Sequence, residues 1–403
     1  MHDVEIAVVG YGLAGSVAAL ALARGGRKVA LIGPAKTGND ERTTALMDQS
    51  IRFMDRLGLW QSVQPSSAAL SVMQIIDGTD RVLRAPPAQF RAAELGLPAF
   101  GYNIPNRALA EVLDAAVAAE PNIARMDTTV EKAEPSDDKV TLTLGNGELL
   151  TAALAVGADG RNSILRTGAG IDIRKWAYPQ AAVVLNFSHE LQHGSVSTEF
   201  HTETGPFTQV PLPGRRSSLV WVVKPDTAER LLALPLDELS AQVEHRMQSI
   251  LGKVEVEPGP QSWPLSSLMA KRFGKGRIAL VGEAAHAFPP IGAQGLNLSL
   301  RDVMTLSDLV GNADGRPIAA DTGDRFERRR RPDIMTRTFG VDLLNRSLLS
   351  DFLPMQMVRA GGLHLLSGIA PLRNLLMREG VDPGRGFRDL LQTFRPSRNR
   401  KKA

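Results

Sequence analysis

The sequence contains no cysteine among its 403 residues. Disulfides, thiolate metal ligands, CxxC redox centres and a cysteine nucleophile are therefore excluded, and any redox chemistry requires a bound cofactor. The chain also has no apolar run near the roughly 20 residues needed to cross a bilayer. Because no charged segment followed by a long apolar stretch opens the chain, we expect a cytoplasmic protein.

Charge and histidine are also sparse in ways that narrow the function. The formal net charge is only +4, which is too small to indicate nucleic-acid binding, and the seven histidines show no metal-ligand spacing. We therefore predict neither a nucleic-acid partner nor a metal. A hydrophobic content of 43% over this length is typical of a globular protein with a large core and room for two domains.

Three glycine-rich segments follow one another along the chain. They are Gly10-Tyr11-Gly12-Leu13-Ala14-Gly15, Gly157-Ala158-Asp159-Gly160 and Gly282-Glu283-Ala284-Ala285-His286. The first lies between an apolar run of strand type and a small-residue helix, which is the context that a dinucleotide-binding turn requires. Gly10 permits the sharp turn, Gly12 lets a pyrophosphate approach, and Gly15 allows close packing of helix and strand. The diphosphate would then lie at the positive end of the helix dipole, near Leu13 and Ala14. Together the three segments predict FAD.

One residue expected of such a fold is missing. The second strand normally ends in an acid that accepts hydrogen bonds from the adenosine ribose, but here Gly33 and Pro34 follow it. Asp40 or Glu41 in the next loop is a candidate replacement.

The pattern of elements predicts an α/β protein. We expect a discontinuous Rossmann-like domain of glutathione-reductase type over residues 1–174 and 267–350, interrupted by a sheet-based domain over residues 175–266, to which residues 70–98 contribute. Residues 351–403 are predicted to be helical with a basic tail. Locally, Arg42 opens a predicted helix that ends near Leu57, strands are predicted at Ser71 to Asp77 and Arg81 to Ala85, and helices at Gln294 to Val310 and Asp324 to Ser350.

Four segments resemble the flavin-dependent aromatic hydroxylases of the p-hydroxybenzoate hydroxylase type, and among these the ubiquinone-biosynthesis hydroxylase family. The segments are Arg42-Thr43-Thr44-Ala45-Leu46, Leu57-Gly58-Leu59-Trp60, Ala158-Asp159-Gly160-Arg161-Asn162-Ser163 and the run from Gly282 to Val303. The chain departs from the family at Gly33 and at Glu283, where the family usually has Asp. The resemblance covers nearly the whole chain.

The resemblance implies roles for particular residues. Glu283 would accept hydrogen bonds from the ribityl hydroxyls, Arg42 with Thr43 would contact FAD, and Asp159 with Gly160 would lie near the pyrophosphate and the nicotinamide path. Arg107 is a similar candidate, although a surface ion pair is its alternative. The segment along the flavin ring would supply Pro289, Pro290, Gly292, Gln294, Gly295, Leu296 and Asn297. We expect His286 to pack or hydrogen-bond beneath this segment, and no side chain is assigned as catalytic, because the flavin carries the chemistry.

The implied activity is that of an FAD-dependent monooxygenase. NADPH or NADH would reduce FAD, and O2 would react to a flavin C4a-hydroperoxide that hydroxylates a polyprenylated phenol in ubiquinone biosynthesis. A hydroxylase of a soluble aromatic compound and a non-catalytic FAD-binding scaffold in a biosynthetic complex are the alternatives. A prenylated substrate makes a ubiquinone-biosynthesis complex a candidate partner. Peripheral contact with the inner membrane face is a further candidate, through residues 353–377 and the basic tail.

Overall fold

The computed structural model describes residues 2–34, 40–79, 87–202, 204–289, 294–312, 314 and 316–349. Its strands are β1 (His2–Val9), β2 (Val29–Ile32), β3 (Thr43–Met47), β4 (Ala68–Leu70), β5 (Val72–Asp77), β6 (Ala88–Arg91), β7 (Gly101–Pro105), β8 (Ile123–Met126), β9 (Val130–Pro135), β10 (Val140–Leu144), β11 (Leu149–Gly157), β12 (Ile173–His189), β13 (Val196–Thr202), β14 (Gly205–Leu212), β15 (Arg216–Val223), β16 (Val254–Val256), β17 (Gln261–Ala270), β18 (Gly274–Lys275), β19 (Ile278–Leu280) and β20 (His286–Ala287). Its helices are α1 (Leu13–Arg24), α2 (Asp48–Arg56), α3 (Trp60–Val63), α4 (Asn106–Ala119), α5 (Ile164–Gly168), α6 (Pro225–Leu232), α7 (Leu236–Arg246), α8 (Gln294–Val310) and α9 (Thr322–Leu349).

The first sheet has a parallel centre. Strands β8, β2, β1, β11 and β19 pair side by side in the same direction, and β18, β10 and β9 extend the sheet in antiparallel pairs. Strand β2 and the second half of β1, Ile6 to Val9, consist of buried apolar residues, which is typical of a parallel sheet covered by helices on its faces. Helix α1, rich in alanine, packs against both α4 and α8. The main hydrophobic core lies between this sheet and its helices.

The second sheet is larger and mostly antiparallel. Its strands run in the order β20-β17-β12-β15-β14-β13-β5-β6, with β16 paired to β12. Alternate residues of β12 and β15, such as Val183, Leu185 and Trp221, face helices α6 and α7 and form a separate hydrophobic cluster. The predicted domain boundaries at 174/175 and 266/267 fall inside β12 and β17, so the domain division stays a prediction.

A third, three-stranded antiparallel sheet, β3-β7-β4, lies between the other two. The helix predicted to open at Arg42 is wrong in its first half, because Thr43–Met47 is strand β3 and the helix begins at Asp48. Pairing with β7 decides this conformation, and β-branched Thr43 and Thr44 suit a strand. The α8 helix at Gln294–Val310 is confirmed, whereas the strand predicted at residues 81–85 lies outside the described residues.

Candidate functional site

The three glycine segments meet at the carboxyl edge of the parallel sheet. They follow β1, β11 and β19, which are adjacent strands. Backbone hydrogen bonds join the strands where these segments begin: Ala158 N donates to Val9 O at 2.7 Å, and Val281 N donates to Gly157 O at 2.8 Å. Ligands of open α/β sheets bind at this edge. The second segment begins almost 150 residues after the first, and the third begins 125 residues after the second. The fold brings all three into one crevice.

Close backbone contacts explain why two positions of the first motif are glycine. A Cβ on Gly10, whose φ is +112°, would lie 2.2 Å from Ala158 O, and a Cβ on Gly15 would lie 1.8 Å from Gly10 O. Substitution of Gly10 would force the first two segments apart, and substitution of Gly15 would push α1 away from the turn after β1. Gly12 differs, because a Cβ there would meet no protein atom within 4 Å. Packing within the protein therefore does not require glycine at position 12.

The residues present fit an FAD diphosphate at this place. Gly12 begins the first turn of α1, where Leu13 and Ala14 are only partly buried and their N–H groups precede the first intrahelical bond, made by Ser16 N. Open space at Gly12 beside such a turn is what a pyrophosphate requires. Asp159 Oδ1 is also buried without a hydrogen-bond partner in the protein. This orphaned acceptor indicates that the crevice is built for a further polar group.

Position 33 has no room for a side chain. A Cβ on Gly33 would lie 2.7 Å from Tyr11 N and 2.9 Å from Tyr11 Cβ. The Tyr11 ring is buried, with the Arg125 guanidinium 4.6 Å from its centre. Burial and a hydrogen bond to Asp114 raise the pKa of Tyr11 to about 12. The missing ribose-binding acid is thus replaced by a closely packed turn.

Arg42 lies directly before β3 and interacts electrostatically with Glu283 of the third glycine segment. Its guanidinium donates to both carboxylate oxygens of Asp40, at 2.7 and 2.9 Å, and lies 5.6 Å from the centre of the Trp263 ring. Asp40 also accepts from Asn106 Nδ2 at 3.0 Å. Burial acts to raise the pKa of Asp40, but the bonds from Arg42 and Asn106 lower it below its usual value. The acid proposed to contact the ribose therefore already orients the arginine proposed to contact FAD.

Two neighbouring candidates behave differently. Thr43 donates its hydroxyl to Ser218 Oγ of β15 at 3.0 Å, which ties β3 to the large sheet. Arg107 is two-thirds exposed on α4 and pairs with Glu111 one turn away at 3.0 Å. The structure thus gives Arg107 the surface ion pair that was its alternative.

Glu283 lies in the turn after β19, within the third glycine segment. Its side chain is 60% exposed and lies 3.5 Å from Arg161 Nε, while Arg161 also donates to Ser266 Oγ at 2.8 Å. An exposed carboxylate held by one weak ion pair retains free acceptor capacity for hydroxyl groups. Asp159 has less free acceptor capacity, because its Oδ2 already accepts from Ile164 N and Leu165 N at the start of α5.

Sequence reasoning missed the buried charges beneath these turns. Asp302 of α8 is fully buried and accepts from Gly282 N at 3.1 Å, from His286 Nε2 at 2.7 Å and from Arg330 Nε at 2.8 Å. Burial alone would raise the pKa of Asp302, but the charges of His286 and Arg330 and these hydrogen bonds lower it. His286 thus hydrogen-bonds to Asp302, and its ring stacks on Phe288.

Arg166 was also missed, and it joins the second and third turns. It is buried, and its guanidinium donates to Ala284 O at 2.8 Å and to Arg161 O at 2.7 Å. No local sequence pattern distinguishes it from a surface arginine.

The predicted flavin-ring segment is described only at its ends. Pro289 is buried, Gly295 is exposed, and Leu296 is partly buried, whereas residues 290–293 and the side chain of Gln294 lie outside the described set. The side chain of Asn297 forms hydrogen bonds within the protein. Its Oδ1 accepts from Met47 N at 2.9 Å and from Ser50 Oγ at 2.7 Å, and its Nδ2 donates to Ala45 O at 2.7 Å. These bonds hold β3 and α2 against the N-terminal turn of α8.

The large sheet presents one face to this site. Contacts from Thr43 to Ser218 and from Arg42 to Trp263 identify it as the face opposite α6 and α7. One line of paired residues crosses this face, which we call the open row: Val184, Val220, Thr208, Glu199 and Ile75. All five are partly exposed, whereas their same-face neighbours on β12 and β15 are buried. The open row is therefore a partly exposed strip between buried neighbours, and we call this strip the groove.

Comparison with known proteins agrees with this geometry. The model of the family described as FAD binding domain matches residues 3–316. The chain is similar to the ubiquinone hydroxylase UbiL of Rhodospirillum rubrum, with 34% identity over 94% of this chain and 89% of the relative. It is also similar to the 3-demethoxyubiquinol 3-hydroxylase of Escherichia coli, with 31% identity over 89% of this chain and 93% of that protein.

Solved structures share the fold at lower identity. The p-nitrophenol 4-monooxygenase PnpA of Pseudomonas putida superposes with a TM-score of 0.77 at 18% identity, covering 94% of this chain and 98% of that one.

Among the described helices, none is both long enough and apolar enough to pass through a bilayer.

Proposed function

The chain belongs to the FAD-binding-domain family and, within it, to the FAD-dependent ubiquinone hydroxylases, and on that premise we propose that it hydroxylates the aromatic ring of a polyprenylated phenol. The observation that carries this proposal is the meeting of three glycine turns opposite a sheet face with a largely apolar groove. When bound, FAD supplies the transfer of one oxygen atom from O2, with electrons from NADH or NADPH.

The chain's own residues would hold FAD along the carboxyl edge. The first turn of α1, with Gly12, Leu13 and Ala14, would take the diphosphate through its N–H groups. Arg42, already aligned by Asp40, would add a fixed positive charge. Glu283 would accept from the ribityl hydroxyls, while Asp302 and Arg166 keep its turn in place.

Two further contacts complete the proposed cofactor site. Asp159 and Gly160 would lie beside the diphosphate, with Asp159 Oδ1 as the free acceptor. Pro289 lies at the start of the predicted flavin-ring segment, and Gly295 and Leu296 lie near its end, in the first turn of α8. The helix dipole of α8 would stabilise negative charge on the reduced ring.

The open row favours an apolar substrate. Val184, Val220 and Ile75 supply aliphatic surface, and none of the five residues is a cation. Arg216, farther along the same face, is bound through two nitrogens to both carboxylate oxygens of Glu257. A soluble aromatic acid requires a buried cation to pair with, whereas a prenyl chain requires apolar area.

The test is complementation of bacterial strains that each lack one ring hydroxylation of ubiquinone, followed by mass analysis of their quinones. Restored ubiquinone in one strain supports the proposal and identifies the ring position. Failure in all strains, with NAD(P)H oxidation stimulated by soluble phenols, favours a soluble substrate. A flavoprotein inert with every phenol indicates a scaffold.

A prenylated substrate also motivates a proposal of peripheral membrane contact. The apolar stretch at residues 353–377 and the basic residues at 395–402 lie outside the described residues. Apolar side chains beside Lys and Arg suit an anionic bilayer surface. If removal of residues 395–402 leaves binding to anionic liposomes unchanged at low salt, the tail has no part in it.

A further inference from the structure

An arginine lies beside the place where the ribose-binding acid is missing. Arg125 of β8 pairs with Leu31 of β2, two residues before Gly33. Because side chains alternate along a strand, residues 31 and 33 lie on one face of the sheet, and Arg125 shares that face. The two strands stay joined at this level, since Gly33 N donates to Met126 O at 3.1 Å. Arg125 therefore projects from the same face as a side chain at position 33 would.

Tyr11 holds this arginine next to the first glycine segment, of which it is part. The Arg125 guanidinium lies 4.6 Å from the centre of the Tyr11 ring. A Cβ built on Gly33 would lie 2.7 and 2.9 Å from N and Cβ of the same tyrosine. Attraction between a cation and an aromatic ring restrains the long arginine side chain. The guanidinium is thus placed between β8 and the turn that would receive the diphosphate, at the carboxyl edge of the sheet.

The hydrogen-bond donors of Arg125 remain available. Within the described part of the chain, its side chain forms no hydrogen bond and no ion pair, and its contact is with the Tyr11 ring. A guanidinium carries five N–H donors, and a ring contact uses none of them. The residue is exposed, so a ligand at this edge can reach those donors.

The two acids predicted as replacements are engaged elsewhere. Both carboxylate oxygens of Asp40 accept from Arg42. Glu41 lies against the large sheet, where it interacts electrostatically with Arg216 of β15 and its backbone O accepts from Asn186 of β12 at 2.9 Å. Neither contact directs a carboxylate towards β8.

We propose that Arg125 takes the place of the missing acid and donates hydrogen bonds to the ribose hydroxyl oxygens of the FAD adenosine, an inference that rests on the FAD site of the proposed function. An acid accepts from these hydroxyls, whereas an arginine donates to them, so the polarity of recognition is reversed. The Tyr11 ring acts as the support that aligns the guanidinium. The residue with this role therefore lies on β8, one strand away from its usual position.

The test measures the binding of FAD analogues that lack one ribose hydroxyl. FAD and its 2′-deoxyadenosine and 3′-deoxyadenosine analogues are each bound to the full-length protein, and their dissociation constants are measured by equilibrium dialysis. In the unmodified protein, removal of at least one of the two hydroxyls is expected to weaken binding by about tenfold. In Arg125→Ala, FAD itself is expected to bind about tenfold more weakly, and both analogues are expected to match it within about twofold.

Two further variants control for charge and for folding. Arg107→Ala removes a surface arginine that is paired with Glu111, and it is expected to keep the full difference between FAD and its analogues. Arg125→Lys retains the charge without the planar fork and is expected to restore only part of that difference. Circular dichroism checks that each variant is folded.

Two results would overturn the proposal directly: equal binding of all three compounds by the unmodified protein, or an unchanged difference between FAD and its analogues in folded Arg125→Ala. Loss of the difference in Asp127→Asn but not in Arg125→Ala would also overturn it, because an acid directly after β8 would then hold the ribose. An Arg125-dependent difference in a protein that hydroxylates no phenol would support the proposal and refute the proposed activity alone.

Discussion

Replacement of Asp302 by alanine is expected to destabilise the protein by about 3 kcal/mol. The carboxylate is fully buried and accepts from three donors, one of which is the Arg330 guanidinium, whose side chain is only 4% exposed. Breaking a buried ion pair costs about 3–5 kcal/mol because the remaining charge is left in an apolar interior. The lower end of this range of free energies applies to Asp302→Ala, because Arg330 keeps its 2.6 Å hydrogen bond to Asp333.

The assay is urea unfolding of the FAD-loaded protein followed by tryptophan fluorescence, which reports the free energy of unfolding. Asp308→Ala removes an exposed carboxylate from the same helix and is expected to change that free energy by less than about 0.5 kcal/mol. A loss below about 1 kcal/mol for Asp302→Ala would refute the reasoning.

The pH dependence provides an independent check on Asp302. Its pKa is lowered in the folded protein, so its contribution to stability is present above the unfolded value near 3.9 and is lost as the pH falls further. The difference between the wild type and Asp302→Ala is therefore expected to be constant near neutral pH and to shrink below about pH 4. A difference that persists undiminished in acid would contradict this assignment.

Three further predictions concern the cofactor crevice. Arg42→Ala is expected to weaken FAD binding by about 10- to 100-fold, measured by equilibrium dialysis. Arg107→Ala removes the same charge and is expected to change the affinity less than about threefold, so equal losses in the two variants would contradict the geometry. Gly12→Ala is expected to fold normally by circular dichroism, because a Cβ there contacts no protein atom, and to bind FAD more than about tenfold more weakly, because the Cβ would contact the ligand. Unchanged affinity would place the diphosphate elsewhere. Tyr11, whose pKa is raised to about 12 by burial and by its hydrogen bond with Asp114, is expected to ionise near pH 12, measured as the difference between the ultraviolet titrations of the wild type and Tyr11→Phe. Its contribution to stability is present below about pH 10 and lost between about pH 10 and 12, and ionisation of Tyr11 near pH 10 would exclude the buried bond.

Sequence predicted the crevice because its requirements are local. Gly15 must be glycine because of its contact with Gly10 in the same turn, and Gly10 has a positive φ there, so spacing alone identifies both. The contact of Gly10 with Ala158 of the second segment is not readable from that spacing. Strand β3 was missed because its conformation depends on pairing with β7, which comes much later in the chain. A short stretch of sequence carries no signal for such a partner.

The buried charge of Asp302 could not be predicted from the sequence. In a sequence, Asp302 resembles an ordinary helix acid, because its partner Arg330 follows 28 residues later.

The tight packing at Gly33 has a consequence for redesign. Nucleotide preference in folds of this kind is commonly retuned by exchanging the side chain that ends the second strand. Here any such exchange collides with the main chain at Tyr11 and displaces the phosphate-binding turn itself. Altered recognition of the adenosine ribose must therefore be sought by changes elsewhere, and libraries randomised at position 33 are expected to yield colourless protein rather than new specificity.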